Sequence, residues 1–78
     1  MIRLSVTTKL DNKTIVDKAV DFFGNKNGLK VTEQGDCCAS FEGAGGYVRV
    51  DITEDEKKEV TVESREHEYL AKKFVESL

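Results

Sequence analysis

Two adjacent cysteines, a single histidine, a glycine-rich tetrapeptide and a run of carboxylates are the groups in this 78-residue chain with chemical potential. Cys37 and Cys38 are its only thiols. A reactive thiol needs a nearby base or cation to hold it as thiolate, and Cys38 is the candidate nucleophilic or redox-sensitive group. Cys37, Ala39 and Phe41 alternate with Cys38, Ser40 and Glu42, the period of a strand. Strand neighbours point to opposite faces, so Cys37 is expected in the core and Cys38 on the open side, without a bond between them. The same divergence argues against a metal ion held by both. His67, between Glu66 and Glu68, is expected as a solvated residue in the first turn of a helix. Consecutive helical residues diverge, so these three do not converge on one ion. Gly43-Ala44-Gly45-Gly46 would cradle a phosphate if a helix followed, but an alternating stretch follows and the glycines read as a hairpin connection. The acidic stretch Asp51-Ile52-Thr53-Glu54-Asp55-Glu56 lacks the glycine and final glutamate of a calcium loop. None of these groups is assigned a catalytic role, a metal or a cofactor.

The elements that position these groups follow from the spacing of apolar residues. Val48, Val50 and Ile52 alternate with Tyr47, Arg49, Asp51 and Thr53; beyond the charged tip at Glu54 to Lys58, Val60 and Val62 alternate with Glu59, Thr61 and Glu63. Two half-buried strands around a polar tip make a hairpin. Ile2, Leu4 and Val6 give a first strand over residues 2–8. Asp11 or Asn12 supplies N-cap chemistry, and Ile15, Val16, Ala19, Val20, Phe22 and Phe23 continue as an amphipathic helix from residue 12 to 23 or beyond. Gly24 or Gly28 is the expected terminator, and Gly28 is favoured because Leu29 beyond it can fold back on the helix end. Leu29 and Val31 open a second strand, turning at Gln34-Gly35-Asp36 into the strand that carries the cysteines. Ser64 is expected to cap a last helix whose stripe is Leu70, Ala71, Phe74, Val75 and Leu78.

The order is therefore β-α-β-β-β-β-α in one domain, residues 1–78. A helical crossover makes strands one and two run the same way, and three short turns make strands two to five an antiparallel meander. Strand five then pairs with strand one. The expected fold is α+β: a five-stranded antiparallel sheet of order 1-5-4-3-2 with two helices on one face. This order of elements resembles a single repeat of the TATA-binding protein and the smaller helix-grip folds, a likeness that covers the whole chain and implies a fold but no activity.

On the face away from the helices the pattern places Arg3, Ser5 and Thr7; Lys30, Thr32 and Gln34; Cys38, Ser40 and Glu42; Tyr47, Arg49, Asp51 and Thr53; and Glu59, Thr61 and Glu63. Three of these are basic and four acidic, and Tyr47 is the only aromatic. A sheet that grips nucleic acid needs a basic face and apolar or stacking side chains, and the whole chain carries a net charge of −3. The role suggested by the TATA-binding likeness is thus excluded by the residues that would perform it. No apolar run approaches the ~20 residues that cross a bilayer, and Met1 to Ser5 lacks the apolar core of a signal peptide; a cytoplasmic protein is expected. A chain this short buries a modest core and gains from association. The expected function is a non-enzymatic interaction module acting through the open sheet face or a strand edge, on another protein or as a homodimer. Cys38, Tyr47, Arg49 and Asp51 are its candidate contacts. The alternative is a small-ligand or catalytic domain with a pocket between sheet and helices, although Phe22, Phe23, Phe41, Phe74 and Leu70 are expected to fill that space.

Overall fold

The structure, a computed structural model, describes residues 1–78. Strands β1 (Ile2–Thr7), β2 (Lys30–Gln34), β3 (Cys38–Gly43), β4 (Gly46–Glu54) and β5 (Lys58–Arg65) form one sheet of order β1-β5-β4-β3-β2, antiparallel throughout. Helix α1 (Asn12–Ala19) crosses from β1 to β2, and α2 (Glu68–Glu76) follows β5. The architecture is the one expected from alternation and crossover alone.

Asp11 caps α1, its side chain accepting the Thr14 amide at 2.9 Å, which satisfies one of the donors a helix start leaves free. Beyond Ala19 the helix widens into a π-helical segment, Val20–Lys26. The wider turns place the adjacent rings of Phe22 and Phe23 edge to face, 5.1 Å apart, and both stack near Phe74 of α2. Gly28 ends the segment at φ 72°, where a side chain would be strained, and Leu29 returns with its amide bonded to the Phe23 carbonyl at 2.9 Å. The Asn27 amide group caps the Phe22 carbonyl at 2.7 Å.

Fourteen side chains form the buried core. Ile15, Val16, Ala19 and Phe23 enter it from the first helix and its extension, Ala71 and Phe74 from α2, and Phe41, Val48, Val50, Val60 and Val62 from the sheet. Phe23 lies 5.2 Å from Phe41 and 5.1 Å from Phe74, centroid to centroid. These rings fill the space between sheet and helices.

Three local expectations are corrected. A bulge between Val31 and Glu33 sets Glu33 opposite Ser40 and Gln34 opposite Ala39, so Glu33, not Gln34, joins the open face. An extra residue in one strand shifts every later side chain to the other face. Ser64 does not cap α2: it is fully buried in β5, continuing the inward parity of Val60 and Val62. His67 occupies the N-cap position and is half-buried rather than solvated.

Candidate functional site

The open face is built in rows across the sheet, each read from the register. One row runs Glu33, Ser40, Arg49, Glu63, Arg3. Two of its charges, Arg49 and Glu33, are paired with each other. The Arg49 guanidinium donates through Nε to Asp51 at 3.1 Å, and its NH1 lies 3.4 Å from both Glu33 and the Ser40 hydroxyl. The Asp51 carboxylate and, less strongly, Glu33 hold Arg49 further toward its charged form than usual. Tyr47 donates its hydroxyl proton to Glu63 at 3.0 Å, with Met1 Sδ 3.2 Å from the same oxygen; that bond to a carboxylate raises the phenol above its ordinary value. A second row runs Cys38, Asp51, Thr61, Ser5, with the Thr61 and Ser5 hydroxyls 3.2 Å apart.

Cys38, Tyr47, Arg49 and Asp51 therefore share one face, and two of them, Arg49 and Asp51, are directly bonded. With Glu33 added by the bulge and Arg65 opposite Tyr47, acidic groups outnumber basic ones on this face by one, as they did before either was included.

The cysteines depart from expectation. They are joined to each other, with Sγ atoms 2.07 Å apart. Cys37 is exposed, not in the core, and lies outside β3 in a bend; Cys38 is half-buried. Strand alternation separates neighbours only while the backbone is regular, and the bend before Cys38 frees Cys37 from it.

His67 was not expected to bond to anything. Its Nε2 lies 2.7 Å from the Gly43 carbonyl, an acceptor, so Nε2 carries the proton. This ties the start of α2 to the β3–β4 hairpin. That hairpin turns through Ala44 at φ 51° and Gly45 at φ 81°, the two positive dihedrals of a type I′ turn. Beside it, a Cβ on Gly46 would come within 2.6 Å of Glu66 Cβ, so the hairpin and the β5–α2 link approach as closely as glycine permits.

The sheet has two free edges. At β2 the bulge breaks the edge, four of five residues are exposed, and Glu33 is engaged by Arg49. At β1 the pairing with β5 is regular from Ile2 to Thr7. The Thr8 amide bonds the Lys58 carbonyl at 3.2 Å, one pair beyond that ladder. Hydrogen-bonded pairs alternate along an antiparallel ladder, so Ile2, Leu4 and Val6 turn their backbone groups to β5. Arg3, Ser5 and Thr7 turn theirs outward, unmatched by any other element. The side chains of Ile2, Leu4 and Val6 are only partly buried, as are Leu70, Val75 and Leu78 of the C-terminal helix region. Comparison with protein-family models, with curated proteins and with solved structures finds no match to this chain.

Proposed function

We propose that this chain is a non-enzymatic association module that pairs through the β1 edge, with a second copy of itself as partner. The observation that carries the reading is the outward row of backbone donors and acceptors at Arg3, Ser5 and Thr7 on an unbulged edge strand. A strand added there satisfies all three residues, the usual chemistry of strand addition. An antiparallel β1–β1 pair centred on Ser5 sets Arg3 against Thr7 and Ser5 against Ser5. On the helix side it sets Leu4 against Val6. Within β1 no like charges meet, and the partly buried Leu4 and Val6 gain cover from the second copy. A two-fold axis through Ser5 closes the pair, as an isologous contact requires.

The open face supports this role less well. Arg49, Asp51, Glu33, Tyr47 and Glu63 already satisfy one another, and a partner would have to replace those bonds after desolvating them. The aromatic packing of Phe22, Phe23, Phe41 and Phe74 argues likewise against a ligand held between sheet and helices.

Sedimentation across a concentration series tests the proposal, with Ser5→Lys as the discriminating variant. Ser5 is exposed, so a lysine is accommodated in the monomer. In the pair it sets two ammonium groups face to face, which should weaken association about tenfold or more. Amide exchange at Arg3, Ser5 and Thr7 should slow as concentration rises. A wild-type chain that stays monomeric at about 1 mM, where only the weakest contacts are populated, would sink self-pairing. Association that Ser5→Lys leaves unchanged would move the contact to another surface.

A further inference from the structure

The Cys37–Cys38 bridge has no evident structural task. A disulfide stabilises chiefly by closing a loop in the unfolded chain, and its effect grows with loop length. Adjacent residues enclose no intervening chain. The turn is, moreover, already fastened on both sides of the bridge. The Gly35 amide bonds the Cys38 carbonyl at 2.8 Å, and the Ile52 amide of β4 bonds the Cys37 carbonyl at 2.8 Å. Cys37 is exposed, next to exposed Gly35 and Asp36, at the corner where β2 meets β3. Sulfur that contributes little to the fold and stands open to solvent is available for exchange chemistry.

We infer that Cys37–Cys38 is a thiol–disulfide exchange site for small dithiols or dithiol proteins. The thiolate of the reductant attacks the exposed Cys37 Sγ, and the bond between the two cysteine sulfurs breaks. Cys38 leaves as thiolate and takes a proton from solvent. The second thiol of the reductant then attacks the mixed disulfide at the reductant's own sulfur, releasing Cys37 as a thiol. Two electrons pass to the protein, and the reductant departs as its disulfide. Across the sheet from Cys38 lies its register partner Asp51, whose carboxylate accepts a hydrogen bond from Arg49 at 3.1 Å. The departing Cys38 thiolate thus lies opposite an ion-paired carboxylate rather than a bare one.

The test uses the full chain without denaturant. Dithiothreitol should open the bridge in the native protein, after which iodoacetamide labels both cysteines, and diamide should restore the unlabelled form. Phenylarsine oxide, which joins two neighbouring thiols with loss of water, should bind the reduced chain one to one. Binding should be lost in both Cys37→Ser and Cys38→Ser. The reduced and oxidised forms should melt within about 4 °C of each other, the shift of less than a large interaction in a domain of this size. A chain isolated as a dithiol that diamide closes and dithiothreitol reopens gives the same support. The inference is overturned if reduction or labelling requires unfolding, if diamide cannot join the two thiols, or if reduction lowers the melting temperature by more than about 10 °C, the signature of a structural cross-link.

Discussion

The sheet's two edges are finished differently. β2 carries a bulge, a charged side chain held by Arg49 and the bent cysteine corner beside it. Such devices keep an edge from templating another strand. β1 carries none of them: its six residues alternate regularly, with Arg3 the only charge. Helix cover differs as well. The first helix and its π-helical extension bury Ile15, Ala19 and Phe23 completely, while α2 leaves Leu4, Val6 and Leu70 partly open along β1. One end of the layer is sealed within the chain, and the other is sealed only by adding something to it.

Core truncations at the two ends test that contrast most severely. Phe23→Ala removes a fully buried ring stacked on Phe41 and Phe74 and should cost about 3–5 kcal/mol by urea denaturation, at any protein concentration. Leu4→Ala, at the half-covered end, should cost less than about 2 kcal/mol in dilute solution. If β1 edges pair, the Leu4→Ala penalty grows with concentration while the Phe23→Ala penalty does not. Equal and concentration-independent losses would erase the distinction between the ends. Ser5→Lys then sharpens it, because it touches association and spares the core.

A smaller effect comes from the first helix. Hydrogen bonding from the Thr14 side chain and then from its amide holds the Asp11 carboxyl below its ordinary value of 3.8. A carboxyl whose folded value is depressed binds its proton more readily when unfolded. Its stabilisation is therefore full above about pH 4 and is lost as pH falls through the lowered folded value. Asp11→Ala should flatten that part of the acid limb of a stability–pH curve, with the β1 association unaffected. An unchanged acid limb would show that the cap does not act through its charge.

The smallest effect is a gain. Ala44 sits at φ 51°, a region costly for residues with a Cβ, and asparagine is favoured there before the following glycine. Ala44→Asn should raise stability by about 0.5–1 kcal/mol. Because the turn lies away from both free edges, the sedimentation behaviour should not change.

How much of this could be read in advance varied with local regularity. Val48, Val50 and Ile52 against Val60 and Val62 carry an uninterrupted period of two, and the central hairpin and sheet order follow from them. β2 offers one apolar residue, Val31, among polar ones, so nothing in its pattern marks the bulge that moves Glu33 to the open face. Ser64 shares the parity of Val62, and that parity, not its capping residue type, decides its place. Alternation holds only from the start of β3 at Cys38, so it does not reach Cys37, one residue before it. The bond from His67 to Gly43 joins residues 24 apart and leaves no local trace. On the open face, pairing of Arg49 with Asp51 follows from their two-residue spacing along a strand, whereas its contact with Glu33 depends on the bulge.

The widened stretch from Val20 to Lys26 bears on how the chain tolerates changes in length. A π turn is an α turn that holds one residue more, so this segment has slack that α1 lacks. Asn25 is exposed, and its side chain bonds only Asp21, at 3.4 Å. Deleting it would let the segment tighten toward α geometry while Ile15 to Ala19 stay in place. Deleting Lys18 would instead rotate everything beyond it, carrying Phe23 out of the core. The first helix is thus divided into a part that counts residues strictly and a part that can lose one.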